Sequence, residues 1–265
     1  MYPGSSVVKL TAKTALKEHY FKSVFAVLIF ITCNLCLISV NSIIMIVDSR
    51  FLPIINVCLF VIFAGLPLFL GLIRYFWRLL FGMNDNPISV FYYFSSLKKY
   101  KKALKYSFCC ALKVLVNALI LFLPAIFIFF ISSDFIYNLF DIPMPLWTGK
   151  MQNIYLLLSN AALIILPFTL LKFSAAPILF VSCDDADALE VFHTSNIVTR
   201  KNNGEFIILN FTFLGWFFLS LLVFPIVFIL PYYFTSYAVH TRFVITEYNM
   251  NVNSNANFNG EYYAM

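Results

Sequence analysis

Long apolar runs, separated by short polar and basic connections, dominate the chain. A membrane-spanning helix needs about 20 consecutive apolar residues, and such runs allow six crossings. The predicted spans are residues 21–47, 53–81, 106–131, 153–181, 206–222 and 225–245. The apolar region 206–245 would measure about 60 Å as one helix, roughly twice the hydrocarbon thickness, so it is expected to turn near Ser220 to Pro225. The pattern predicts an all-α polytopic membrane helix bundle with about six transmembrane helices.

Two polar connections have the sequence features of helices. Asn86-Pro87 is a helix cap followed by proline in the first turn, and it predicts an interfacial helix that runs into the third span. The connection 182–201 has Asp184 and Asp185 near its start and Arg200-Lys201 at its end, as the helix macrodipole favours, and Gly204 is expected to end the helix. With these two cytoplasmic interfacial helices, residues 1–246 are expected to form one integral membrane domain. Residues 247–265, rich in Asn, predict a disordered cytoplasmic tail.

The composition agrees with the span pattern. Apolar residues make up 62% of the 265 residues, charged residues only 11%, and the mean hydropathy is +0.87. A soluble fold of this size leaves much of its surface exposed to water and could not bury so many apolar side chains. The composition therefore excludes an ordinary soluble enzyme. The net charge of +6 fits a membrane with anionic lipid on one face better than it fits nucleic acid.

The basic residues predict the orientation. Sixteen of the eighteen Lys and Arg residues fall on one side of the six-span arrangement, and only Arg50 and Lys150 fall on the other. The positive-inside rule then places the N- and C-termini in the cytoplasm. The first span is too long for the apolar part of a cleavable signal peptide.

A cluster of lysines precedes the third span and is the first candidate site. The cluster comprises Lys98, Lys99, Lys101, Lys102 and Lys105. Beside an interfacial helix, each lysine near an anionic leaflet would gain about 1 kcal/mol, so the cluster predicts contact with anionic lipid. The same charges are also what topology determination requires, and the sequence leaves both interpretations open.

A second candidate is a polar site within the membrane. Arg74 and Arg78 lie one helical turn apart near the inner end of the second span, and Lys172 lies in the fourth. Ionisable residues at membrane depth are costly, and their presence indicates a functional site. The alternative is that all three side chains extend to the cytoplasmic interface.

Other reactive residue types do not form a recognisable motif. Cys33-x-x-Cys36 has metal or redox spacing but lies inside an apolar span without a second pair of ligands, so apolar packing is the favoured interpretation. The histidines, which are His19, His193 and His240, lie in no catalytic motif. The carboxylates Asp184, Asp185 and Asp187 lack the spacing of a calcium loop, and helix capping is favoured over cation binding. We therefore expect no enzyme activity, no metal and no cofactor.

Several segments resemble an uncharacterised bacterial membrane family, designated only as domain of unknown function nine hundred and seventy-five. They are Gly65–Phe76, Ile88–Phe91, Leu97–Tyr100, Lys172–Pro177, Asp184–Glu190, Phe213–Trp216 and Leu230–Tyr232. The family is also distantly similar to the membrane portion attached to some glycerophosphodiester phosphodiesterases. No hydrolase barrel is present here, so the resemblance implies a fold and a bacterial plasma-membrane location without an activity.

Three functional hypotheses follow. The leading one is a non-catalytic multi-pass protein that organises the membrane by binding lipid or a partner protein of unknown identity. The alternative is a small permease for an anionic solute or lipid headgroup that uses Arg74, Arg78 and Lys172. A membrane-embedded enzyme is the weakest, because no paired carboxylates, histidine cluster or nucleophile motif is present.

Overall fold

The computed structural model describes residues 4–47, 52–83, 85–132, 148–183, 186–200, 202–219 and 225–259. Throughout these ranges the regular structure is helical, without strands. The α-helices are α1 (Ser5–Lys17), α2 (Tyr20–Val47), α3 (Leu52–Phe60), α4 (Leu66–Leu79), α5 (Leu97–Ser132), α6 (Thr148–Leu170), α7 (Ala176–Ser182), α8 (Ala188–Arg200), α9 (Asn203–Leu219) and α10 (Ile226–Asn259). A π-helical turn (Val61–Gly65) joins α3 to α4, and two 3₁₀ helices cover Pro87–Phe94 and Leu171–Phe173.

Four segments within the described ranges are long and apolar enough to cross a membrane, judged by length and composition. They are Tyr20–Val40, Ile55–Leu79, Leu97–Ile131 and Met151–Ser182. Only 6% of the most apolar stretch is buried in each of the last two, so most of their apolar side chains are left uncovered by the described part of the chain. The all-α prediction is confirmed, and the four apolar helices suggest association with a membrane.

The count of six crossings stays a prediction. Helices α9 and α10 lie where the last two spans are expected, but neither is among the four segments above. Residues 220–224 of the expected turn lie outside the described ranges. Helix α10 also continues to Asn259, past residue 246, where the sequence places the end of the membrane domain.

The chain forms two compact units. One comprises Met1–Cys109 together with Lys172–Met265, and the other is Cys110–Leu171. Within the second unit, the rings of Phe129 on α5 and Tyr155 on α6 lie 5.4 Å apart. The buried core described below, and both candidate sites, belong to the first unit.

Helix α1 contributes to the core of the first unit, which the sequence analysis did not predict. Val8 and Ala12 lie one turn apart and are fully buried, and both pack with Leu209, Phe213 and Val239 of α9 and α10. Apolar residues that recur every four positions form one face of a helix. The N-terminal segment is therefore a packed amphipathic helix.

The predicted fourth span, 153–181, is interrupted. Helix α6 ends at Leu170, a 3₁₀ turn follows, and α7 begins at Ala176 with proline in its first turn. The carbonyl of Lys172 accepts hydrogen bonds from Ser195 Oγ at 3.1 Å and Thr199 Oγ1 at 2.8 Å. The Tyr237 hydroxyl donates to the carbonyl of Ser174. Side chains of α8 and α10 thus satisfy the backbone that the break exposes, as an apolar environment requires.

The two predicted connection helices have different outcomes. Helix α8 lies where the second was expected, and its residues Val191, Phe192 and Val198 are buried. The first is not an α-helix continuous with the third span. It is the 3₁₀ helix Pro87–Phe94, and a bend at Ser95 separates it from α5.

Candidate functional site

The 3₁₀ helix Pro87–Phe94 presents an apolar face to the outside. The Asn86 side chain caps it by accepting a hydrogen bond from the Ile88 N–H at 3.2 Å. Three residues complete one 3₁₀ turn, so every third side chain lies on the same face. Ile88, Phe91 and Phe94 are 61%, 37% and 41% exposed, whereas Val90 is fully buried. We call the exposed set Ile88, Phe91, Phe94 and Leu97 the apolar strip.

Gly71 of α4 allows the 3₁₀ helix to dock closely. A Cβ added at Gly71 would lie 1.9 Å from the carbonyl oxygen of Val90 and 2.8 Å from its carbonyl carbon. Real Cβ atoms essentially never approach another atom within 3.0 Å. Only glycine therefore permits this contact, which buries Val90 and Tyr93 beside α4.

Tyr92 supports two cations. The Arg74 guanidinium lies 3.6 Å from the centre of the Tyr92 ring, and Lys99 Nζ lies 3.9 Å from the same centre. Lys99 Nζ also donates a hydrogen bond to Ser95 Oγ at 3.2 Å. Cation–π contacts of this kind hold a positive charge in place without neutralising it. The arrangement concentrates two positive charges beside the apolar strip.

Four lysines of the cluster, Lys98, Lys101, Lys102 and Lys105, have the spacing of a single face of α5, and they differ in their partners. Lys102 Nζ donates to the carbonyl of Cys183 at 3.3 Å, and Lys105 Nζ pairs with Asp187 Oδ1 at 2.6 Å. The hydrogen bond from Lys105 holds the pKa of the Asp187 carboxyl below its ordinary value. Lys98 and Lys101 are exposed, as is Lys105, whereas Lys102 is half-buried. Lys98 directly follows the apolar strip, and Lys101 lies one turn further along α5.

The three residues of the predicted intramembrane site have different partners. Arg78 Nε pairs with Asp85 at 2.9 Å, and Arg74 lies on Tyr92. Lys172 Nζ lies 5.0 Å from the centre of the Phe173 ring. None of the three lines either of the two cavities described next. A shared polar site formed by these residues stays a prediction.

Two cavities adjoin along the apolar strip. The first, about 340 Å³, is an apolar groove between α2, the π-turn with α4, and the 3₁₀ helix. Its walls are Thr32, Cys33, Cys36, Ala64, Leu68, Phe91 and Phe94. The second cavity, about 470 Å³, shares Phe91 and Phe94 and is also lined by Ile88 and by the polar residues Asn86, Ser89, Tyr92 and Ser95, and most of its exposed lining is apolar.

The π-turn is tied to the first turn of α5. The Tyr100 hydroxyl donates to the carbonyl of Phe63 at 3.0 Å. A π-turn displaces a carbonyl from the regular helical pattern, and Tyr100 satisfies one in this turn. The same turn places Ala64 in the wall of the apolar groove. Tyr100 therefore fixes both the groove and the start of the lysine-bearing helix.

The structure places the cysteines, histidines and aspartates that the sequence analysis considered in different parts of the chain. Cys33 and Cys36 are free thiols in the groove wall. His240 is buried and packs edge-on against Phe206, with ring centres 4.2 Å apart. Asp184 and Asp185 lie outside the described ranges. Among the side chains that the structure describes, no group of three or more His, Cys, Asp or Glu could hold a metal ion.

Sequence reasoning missed Tyr92 as the support for Arg74 and Lys99, and Tyr100 as the partner of the π-turn. The only local signal is that three tyrosines and two lysines occur together between Tyr92 and Tyr100. This composition identifies a basic aromatic segment but cannot show which ring meets which cation.

The sequence model of a family described as a protein of unknown function, DUF975, matches residues 1–247. The chain belongs to this family. The match covers every residue of the candidate region and confirms the resemblance to an uncharacterised DUF975 protein. No curated protein and no solved structure matches the chain. The expected bacterial origin and the likeness to phosphodiesterase membrane portions stay predictions.

Proposed function

We propose that this DUF975 protein is a non-catalytic, multi-pass protein of the bacterial plasma membrane that organises the membrane by binding anionic lipid at the cytoplasmic interface. The observation that carries the proposal is the continuity of the apolar strip with exposed Lys98 and Lys101. Apolar side chains beside basic ones are the pattern of segments that lie in a membrane interface.

The positive charges of the exposed lysines favour binding to an anionic membrane surface. Each lysine near an anionic leaflet contributes about 1 kcal/mol of binding free energy, which is roughly a fivefold change in affinity. Lys98 and Lys101 are exposed and available for this contact, while Lys102 and Lys105 have partners within the chain. We infer that the cluster both binds lipid and fixes α5 to the segment that contains Cys183 and Asp187.

The proposed topology has six crossings with both termini in the cytoplasm. Four apolar segments supply the first four crossings, and α9 with α10 would supply the last two. The distribution of Lys and Arg supports this orientation. On this topology the lysine cluster faces the anionic leaflet.

The test compares lipid enrichment around the reconstituted protein. Nanodiscs are assembled from equal amounts of phosphatidylglycerol and phosphatidylcholine, and the lipids that co-purify with the protein are quantified at low and high salt. We expect enrichment of phosphatidylglycerol that salt weakens and that the double variant Lys98→Gln, Lys101→Gln reduces. The matched control, Lys98→Arg with Lys101→Arg, keeps the charge and should keep the enrichment. Equal amounts of both lipids around the wild-type protein would contradict the proposal.

A permease for an anionic solute or lipid headgroup is the second candidate function. The break between α6 and α7 favours it, because interrupted helices commonly form transporter binding sites, and Lys172 lies in that break. The hypothesis predicts that Arg74→Ala and Lys172→Ala abolish solute flux into vesicles without lowering the amount of protein in the membrane. Unchanged solute flux in both variants would contradict the permease hypothesis.

A further inference from the structure

We propose that the groove between α2, the π-turn and the 3₁₀ helix holds one acyl chain of an anionic phospholipid whose phosphate contacts Lys99. The proposal rests on the proposed function and adds a defined binding site to it. It assigns the apolar groove to the acyl chain, and the part of the adjoining cavity beside Lys99 to the phosphate.

The groove suits an acyl chain. Its volume of about 340 Å³ lies within the range of small-molecule sites, roughly 300–1,000 Å³. Ala64, Leu68, Phe91 and Phe94 supply apolar wall, and the free thiols of Cys33 and Cys36 complete it. Thiols behave as small apolar groups in such settings. An apolar chain can occupy this space without leaving any group unsatisfied.

The adjoining cavity suits a phosphate. Ser89 lines it, and the buried Ser89 Oγ has no hydrogen-bond partner among the residues that the structure describes. Ser95 and Tyr92 line the same cavity and position Lys99. A buried hydroxyl without a partner is unfavourable, and rotation of the Ser89 side chain about χ1 would bring this hydroxyl into the cavity, where it would donate to a phosphate oxygen. The Lys99 ammonium supplies a charge-assisted contact to the same group.

The positions of the positive charges and the apolar groove wall fit a phospholipid better than a peptide. Positive charge lies beside only one of the two cavities, from Lys99 and Arg74 around Tyr92, whereas the groove wall is almost entirely apolar. An extended peptide would need hydrogen-bond partners for its buried backbone amides. An acyl chain needs none. Shared walls at Phe91 and Phe94 bring the two parts of one lipid together.

The site is held in place without a ligand. Gly71 docks the 3₁₀ helix against α4, and Tyr100 fixes the π-turn that carries Ala64. Preorganised walls reduce the ordering cost of binding. The groove therefore should bind lipid in detergent solution, where no bilayer surrounds the protein.

The experiment counts lipids bound to the full chain by native mass spectrometry during titration with phosphatidylglycerol or phosphatidylcholine. We expect preferential binding of one phosphatidylglycerol, weakened about fivefold by Lys99→Gln. The matched control Lys98→Gln removes the same charge from an exposed position and should have the smaller effect. Ala64→Leu narrows the groove and should weaken binding, whereas Ala161→Leu, in the second compact unit, should not.

A chain-length series separates the acyl chain from the phosphate. Lysophosphatidylglycerols of increasing length should bind about fourfold more tightly per methylene until the groove is filled. Glycerol phosphate, which has no chain, should not compete at equal concentration. If glycerol phosphate competed as strongly as the long-chain lipids, the proposal that the groove binds an acyl chain would be wrong.

The outcomes distinguish the two proposals. If Lys99→Gln and Lys98→Gln have equal effects and Ala64→Leu has none, the basic surface binds lipid diffusely. The proposed function then stands and the groove site fails. If the wild-type protein shows no preference for phosphatidylglycerol, both fail. Thermal unfolding of each variant in the same detergent verifies that a loss of binding does not reflect a loss of the fold.

Discussion

The substitution Gly71→Ala should destabilise the protein, although alanine is normally the better helix residue. Gly71 lies within α4, where the change by itself would favour the helix by about 1 kcal/mol. The new Cβ, however, would lie 1.9 Å from the Val90 carbonyl oxygen. Relief requires the 3₁₀ helix to move away from α4 by more than an ångström, since real Cβ contacts are at least 3.0 Å.

The expected cost follows from these opposed effects. Overfilling a packed site costs about 1–3 kcal/mol. The upper part of that range applies here because the obstacle is backbone, whose retreat also loosens Val90 and Tyr93. Subtracting the helix gain leaves a net loss of about 2 kcal/mol of unfolding free energy. In a chain of this length that loss corresponds to a fall in Tm of about 4–8 °C.

The assay is thermal unfolding in a mild detergent, and Gly215→Ala is the matched control. Gly215 lies inside α9, and nothing lies within 4 Å of the position that its Cβ would take. The same substitution there should leave Tm unchanged or raise it slightly. The reasoning is refuted if Gly71→Ala unfolds at or above the wild-type temperature.

Three further predictions concern the first compact unit and the topology. Tyr100→Phe removes the donor to the Phe63 carbonyl at 3.0 Å and should cost about 1 kcal/mol in the same unfolding assay; an unchanged Tm would show that the π-turn does not depend on it. The pKa of Asp187 is lowered by Lys105, so their contact should stabilise the fold above the ordinary carboxyl pKa and be lost as the pH falls through the lowered value. An NMR titration should give a pKa below the ordinary range that returns to it in Lys105→Gln, and equal values in both proteins would contradict this. A C-terminal alkaline phosphatase fusion should be inactive in bacteria, because that enzyme folds outside the cytoplasm; activity would reverse the proposed orientation.

The membrane class was predictable because it depends on local composition. A run of about 20 apolar residues is long enough to cross a bilayer as a helix, whichever helices pack against it. The four apolar segments all overlap predicted spans. Some local caps were predictable for the same reason. The Asn86 side chain binds the Ile88 N–H, as its position before Pro87 indicates.

The arrangement of the lysine cluster was only partly predictable. The spacing of Lys98, Lys101, Lys102 and Lys105 predicts one basic face of α5. It does not show that Lys102 reaches the Cys183 carbonyl while Lys98 and Lys101 stay exposed. That carbonyl is 81 residues away along the chain, and no local pattern specifies such a partner.

The close contacts required the tertiary structure. Gly71 has the sequence signature of any small residue in a membrane helix, yet its necessity follows from the position of Val90. The 3₁₀ form of residues 87–94 likewise follows from docking, because three residues per turn bring Val90 and Tyr93 to the buried side together. Pro177 lies in the first turn of α7, where proline is tolerated, but Thr199 and the other side chains that stabilise the break come from later helices.

The break before α7 also constrains how the protein is made. The Ser174 carbonyl receives its hydrogen bond from Tyr237, 63 residues later in the chain. At synthesis rates of about 5–20 residues per second, this partner emerges roughly 3–13 s after the carbonyl does. During that interval the break has to remain hydrated, because an unpaired carbonyl is unfavourable in hydrocarbon. The fourth apolar segment therefore reaches its final position only after the last helix has been synthesised.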